Sequence, residues 1–119
     1  MASQSNHIRT GLSGEDSAVA FLRKSGYKIH FRNYRYKRAE IDIIAEHNGV
    51  LVFVEVKTRS SDKYGFPEES VNWKKERLLL SAAENYIYHT QWEHDIRFDI
   101  ISITLGEAPA IYHIQDAFH

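Results

Sequence analysis

Twelve residues separate Asp42 from Glu55, and a single valine separates Glu55 from Lys57. Two carboxylates and an ammonium at this spacing are the groups needed to hold a divalent cation and turn it on a phosphate ester. Mg²⁺ takes hard oxygen ligands, typically one or two carboxylates, with water and substrate phosphate completing its shell. A lysine beside it would steer or help deprotonate an attacking water and neutralise charge developing on the phosphate. The implied chemistry is hydrolysis of a phosphodiester by a metal-activated water.

These side chains meet only if the chain between them turns back. Asn48-Gly49 is a strong hairpin-turn signal, and it lies between two candidate strands, Glu40 to Glu46 and Val50 to Lys57. With Asn48 and Gly49 as the two central turn residues, Asp42 falls opposite Glu55 and Glu40 opposite Lys57. All four side chains then share one face, because side chains alternate along a strand, and directly opposed Cβ atoms stand about 5 Å apart. A three-residue loop would slip the pairing by one and make the contacts diagonal; the residues leave both registers open. Two carboxylates this close repel, so something must compensate, and a divalent cation does so directly. The Val56 carbonyl is a candidate further oxygen. The plain alternative, an ion-pair ladder on a solvated sheet, accounts for Glu40 with Lys57. It does not account for Asp42 facing Glu55, nor for Ile44, Leu51 and Phe53 sharing that face.

The other elements must hold this hairpin in place. Ser13 can cap a first helix, with Glu15 and Asp16 in the turn where the helix dipole favours acids. That helix carries Ala18, Phe21 and Leu22 and stops near Gly26. Tyr27 to Tyr34 alternates as a half-buried strand, with Tyr27, Ile29 and Phe31 on one side and Lys28, His30 and Arg32 on the other. After a polar loop from Thr58 to Glu69, a second helix runs from about Asn72 to His89, with Val71, Leu78, Ala82 and Tyr86 as its apolar stripe. Ile96 to Thr104 and Ala110 to Ile114 read as strands. The order helix, three strands, helix, two strands predicts an α/β fold with a mixed (α+β) central sheet flanked by helices. Trp73 and Trp92 read as packing residues at helix ends, and His113 as a packed or surface histidine.

The 119 residues favour one domain spanning 1–119, with the polar residues 1–10 as a flexible tail. Cysteine is absent, which excludes disulfides, thiolate metal sites and cysteine nucleophiles. The polar start lacks the apolar stretch of a signal peptide. The longest apolar run, Val50 to Val54, is too short to span a bilayer, so a cytoplasmic protein with no membrane partner is expected. The net charge of −1 conceals an asymmetry. From Arg23 to Arg77 there are 13 Lys or Arg against 8 Asp or Glu, and from Leu78 to His119 only 1 against 6. A basic middle beside an acidic end suggests one face that meets phosphates; the equal alternative is that sequence segments do not map to faces and the charges are simply solvated.

The arrangement of Asp42 followed by Glu55-Val56-Lys57 resembles the D…(D/E)xK signature of the PD-(D/E)xK, or restriction-endonuclease-like, nuclease superfamily, with Ile41 where the superfamily name has proline. More narrowly, five blocks in order resemble the uncharacterised YraN-like family: Gly14-Glu15-Asp16, Arg32-Asn33-Tyr34-Arg35, Glu40 to Ala45, Val52 to Arg59, and Arg97 to Ser102. The likeness spans roughly Gly11 to Phe118. It implies a restriction-endonuclease-like αβββαβ core with a Mg²⁺- or Mn²⁺-dependent site. Metal binding would fall to Asp42 and Glu55, and the catalytic lysine's role to Lys57. Some superfamily branches add a glutamate from the first helix, and Glu15 matches that position; its other reading is a first-turn acid.

The expected function is therefore metal-dependent endonucleolytic hydrolysis of nucleic acid. DNA is favoured over RNA, and branched or repair intermediates are substrates by analogy. Arg35, Arg59, Lys63, Tyr64, Lys74 and Arg77 are candidates to grip the phosphate backbone or stack on bases, with Arg32, Lys37, Arg38 and Lys75 raising the same prospect. A homodimer, or a subunit of a repair or recombination complex, is a further expectation. The alternatives are a non-catalytic nucleic-acid-binding module and a protein-interaction domain that retain the fold.

Overall fold

The computed structural model describes residues 14–59, 73–105 and 110–118. The expected tail at 1–10 and the candidate contacts Lys63 and Tyr64 lie outside them. Helix α1 covers residues 14–24. It is followed by β1 (Lys28–Tyr36), β2 (Ala39–His47), β3 (Val50–Arg59), helix α2 (Trp73–Thr90), β4 (Ile96–Thr104) and β5 (Ala110–Ile114). The strands form one sheet in the order β1-β2-β3-β4-β5. Every neighbouring pair is antiparallel except β3 and β4, which run parallel. Adjacent parallel strands need a long crossover, and α2 lies in it. This is the mixed α/β architecture that the element order predicts, and it is compatible with an αβββαβ core.

The hairpin turns as expected. Asn48 and Gly49 both adopt positive φ, at 52° and 80°, the conformation of a two-residue turn matched to strand twist. His47 pairs with Val50, and the register continues through Ala45 with Val52 to Ile43 with Val54. β3 is the central strand, and every side chain from Leu51 to Glu55 is buried. Its unbroken apolar run serves two cores, one on each face. On one face α1 places Ala18, Val19 and Leu22 against Ile43, Ala45, Val52, Val54 and Ile101. On the other, α2 places Leu79, Ala82, Ala83 and Tyr86 against Ile41, Ile44, Leu51, Phe53 and Phe98.

Two sequence expectations need correction. The buried stripe of α2 is Leu79, Ala82, Ala83 and Tyr86, while Leu78 is 43% exposed. Ala82 and Tyr86 hold as expected, Leu79 takes the place of Leu78 to complete the spacing i, i+3, i+4, i+7, and Val71 lies outside the described residues. In β1, the register shifts between Ile29 and Phe31. The extra residue reverses the alternation beyond it, so Phe31 is exposed instead of sharing the buried side with Tyr27 and Ile29. His30, at the shift, hydrogen-bonds with Glu46 at 2.9 Å and with the Tyr86 hydroxyl at 3.2 Å.

Candidate metal centre

β2 and β3 both continue past their last shared pair, Ile43 with Val54. β2 stays paired to β1 as far as Ala39, and β3 to β4 as far as Arg59. The two strands therefore part, and Asp42 sits where they do so. Its Oδ2 accepts the Val56 N–H at 2.7 Å, taking the place of a main-chain acceptor on β2. On the other side, Asn33 at φ 57° interrupts the β1–β2 pairing between Arg32–Ile43 and Tyr34–Ile41, opposite Asp42. Ile41 and Ile44 both join the α2-side core, so the alternation also breaks at this residue. A half-buried carboxylate thus stands in the fork between two strands.

Glu55 and Lys57 follow on β3, two residues apart and hence on one face. That face continues Leu51 and Phe53 towards α2. Glu55 is 8% exposed. Its Oε2 lies 3.0 Å from Lys57 Nζ and 2.6 Å from Lys75 Nζ of α2. Oε2 is buried, and these two ammonium groups lie within ion-pair distance of it. The Val56 N–H points to β2, and in a strand the carbonyl of the same residue faces the same edge. That carbonyl therefore also points into the fork.

Burial lifts Asp42 to a pKa of about 6, helped by the charges of Glu55, Glu15 and Glu40 and opposed by the Val56 N–H. The Lys57 ammonium is pushed down by burial and by the neighbouring Lys75, against the pull of Glu55. For Lys75 burial is again the largest single influence and acts downward, but its bonds to Glu55 and Lys57 and the charges of Glu55 and Asp42 together outweigh it, and the net shift is upward. Two ammonium groups share one carboxylate, and the less exposed of them, Lys57, holds its proton less firmly.

Glu15 faces the site by charge but is engaged elsewhere. It accepts from Arg32 Nη2 at 2.9 Å and from Asn33 Nδ2 at 3.1 Å. Among the described residues no group of three or more His, Asp or Glu side chains is placed to hold a metal ion between them. The expected Glu40–Lys57 pair does not form. The strands have parted before reaching it, and Glu40 binds Arg35 at 3.2 Å while Lys57 turns to Glu55. Arg59 ends β3, its carbonyl accepting from Leu105 N–H at 2.9 Å. Lys74 and Arg77 of α2 join Arg38 and Leu78 around an open depression of about 370 Å³. Lys75 and Arg32, expected only as phosphate contacts, are found on Glu55 and Glu15, and Asn33, to which the sequence gives no role, joins Arg32 on Glu15. Only the way α2 and α1 cross the sheet brings them there, and no local spacing signals it.

Two oxygens of different carboxylates, one of them buried beside two ammonium groups, and a carbonyl aimed into the same fork make a hard-oxygen set. Such a set fits Mg²⁺ or Mn²⁺.

The profile of Uncharacterised protein family UPF0102 matches residues 14–103, which contain every residue of this centre. A UPF0102 protein of Cytophaga hutchinsonii is 47% identical over 110 residues, covering 92% of this chain and 96% of the relative. One from Persephonella marina is 48% identical over 109 residues, covering 91% of each chain. Another, from Flavobacterium johnsoniae, is 48% identical over 118 residues, covering 95% and 96%.

Proposed function

On the premise that the chain belongs to the UPF0102 family, whose name assigns no reaction, we propose that it is a divalent-metal-dependent nuclease of the PD-(D/E)xK type, hydrolysing phosphodiester bonds in nucleic acid, with DNA the favoured substrate. The observation that carries this reading is the fork between β2 and β3, where Asp42, buried Glu55 and Lys57 converge. Asp42, Glu55 and the Val56 carbonyl would hold Mg²⁺ or Mn²⁺. When bound, that ion supplies a Lewis acid for the phosphate and a more acidic water. Lys57 has the place and the lowered proton affinity to relay a proton from the attacking water or to meet charge on the phosphate. The Val56 N–H fixes the Asp42 carboxylate in the fork, so the site is set before substrate arrives. Glu15, drawn back by Arg32 and Asn33, adds negative potential to the site. The depression ringed by Arg38, Lys74 and Arg77 lies next along α2 from Lys75 and offers a place for the phosphate backbone.

A panel of single-stranded, duplex and branched DNA and RNA, incubated with Mg²⁺ or Mn²⁺, tests this. Wild type should cleave at least one member. Lys57→Ala and Asp42→Ala should each lose about 100-fold or more of the rate, the usual cost of removing one preorganised electrostatic group. Cleavage that persists in both variants would sink the assignment. Salt-sensitive binding without cleavage under any metal would favour the non-catalytic module instead.

A further inference from the structure

Asp42 and Glu55 fit a divalent cation, yet another cation already stands on Glu55. Lys75 Nζ is 2.6 Å from Oε2, closer than Lys57 Nζ at 3.0 Å. Oε2 is buried, and its charge is balanced at short range by the two ammonium groups. The formal count is informative. Asp42 and Glu55 carry two negative charges when ionised, and Lys57 and Lys75 two positive ones, leaving this cluster neutral without a metal. A divalent ion on the same oxygens would leave it doubly positive, which a partly buried site resists. One ammonium must give way. Lys57 is two residues from Glu55 on the same strand and its side chain is 25% exposed, whereas Lys75 reaches in from α2 and is 38% exposed. Lys75 is the one whose withdrawal towards solvent leaves β3 undisturbed.

We propose that Lys75 is a built-in competitor of the metal. It occupies the Glu55 oxygen that a divalent cation needs, and it sets the affinity of the site low by having to be displaced. This inference rests on the metal-site reading above and adds to it a residue that tunes loading.

Calorimetric titration of Mn²⁺ into the full chain tests it. Wild type, Lys75→Met, Lys75→Arg, Lys74→Met and the double variant Lys75→Met/Asp42→Asn are compared at one pH and salt concentration, with thermal unfolding to confirm that each is folded. Removing the competitor should tighten Mn²⁺ binding by roughly tenfold or more. Lys75→Arg keeps the charge, and Lys74→Met removes one from the exposed neighbour; both should stay within about threefold of wild type. The double variant should lose the gained affinity, locating it at this centre. A variant that binds where wild type shows no heat supports the inference equally. Unchanged or weaker binding in Lys75→Met overturns it while leaving the metal site standing. Equal tightening in Lys74→Met overturns it too, because the effect would then be general field and not occupancy. If neither wild type nor any lysine variant binds Mn²⁺, the metal-site reading fails and this inference falls with it.

Discussion

At Asp42 two effects oppose each other. Burial and three nearby carboxylates disfavour the charge, the Val56 N–H favours it, and the balance lifts the pKa from 3.8 to about 6. Below 3.8 the folded and unfolded chains are both protonated here. Between 3.8 and about 6 the unfolded chain has released this proton while the folded one retains it. Stability of the metal-free protein therefore falls as pH rises through that window, by at most about 3 kcal/mol at 1.36 kcal/mol per unit. Asp42→Asn should remove the effect. Urea unfolding at pH 7.5 should show the metal-free variant more stable than wild type by about 1–3 kcal/mol, with the difference vanishing near pH 4. A variant less stable at pH 7.5 would mean that the carboxylate is not held at a cost. The same proton opposes cation binding. Mn²⁺ affinity, followed by calorimetry, should decline as pH drops through about 6 and should not recover on further acidification.

At the scale of the element, the centre depends on how closely α1 lies on β3. Gly14 opens α1, and a Cβ built there would overlap Thr58 Oγ1 and come within 3.3 Å of Thr58 Cβ. Elsewhere in a helix alanine would be favoured over glycine by about 1 kcal/mol; here the collision outweighs that preference. Gly14→Ala should destabilise by about 1–3 kcal/mol, and Thr58→Ala in the same chain should recover part of the loss. Additive losses in the double variant would show that the two residues do not meet. The hairpin was the most legible element, because Asn48-Gly49 dictates a two-residue turn and alternation then sets the register on each side. What escaped the sequence is where that register stops. Nothing in the types of residues 39–42 says that Asp42 will substitute its side chain for the ladder, and so Glu40 was expected on Lys57 and is found on Arg35. The register shift at His30 was equally hidden, since one extra residue leaves the local pattern of apolar and polar residues unchanged. In α2, Leu78 and Leu79 are adjacent leucines, and only packing against Ile44 and Phe53 chooses between them.

Across the whole molecule, a second charged cluster holds the sheet on the α1 side. Asp99 of β4 is 1% exposed. It accepts from Arg97 at 2.8 and 2.9 Å and from the Asp116 N–H at 3.0 Å, and bonds His113 of β5 at 2.7 Å. Burial would raise its pKa, but His113, Arg97 and the Asp116 N–H together hold it below the usual carboxylate range. Arg97 also donates to the Tyr27 hydroxyl at 2.9 Å, so the cluster ties the end of α1 to both C-terminal strands. Removing one partner of a buried pair leaves the others uncompensated. Asp99→Ala should cost about 3–5 kcal/mol by chemical unfolding, without changing which nucleic acids are bound. A loss under 1 kcal/mol would contradict this role. Among the described residues no helix is long and apolar enough to cross a membrane. The basic surplus of the middle segment does converge in part, with Arg38 from the β1–β2 connection and Lys74 and Arg77 from α2 meeting around one depression. The claim that unites these scales is that the fork of β2 and β3 is a seat for a divalent cation. The most direct measurement is anomalous diffraction from crystals soaked in Mn²⁺ near pH 7.5. A peak bounded by the Asp42 and Glu55 carboxylates and the Val56 carbonyl should appear, and should be absent from Asp42→Asn crystals. Saturating Mn²⁺ with no peak in the fork, or with peaks only elsewhere on the surface, would contradict it.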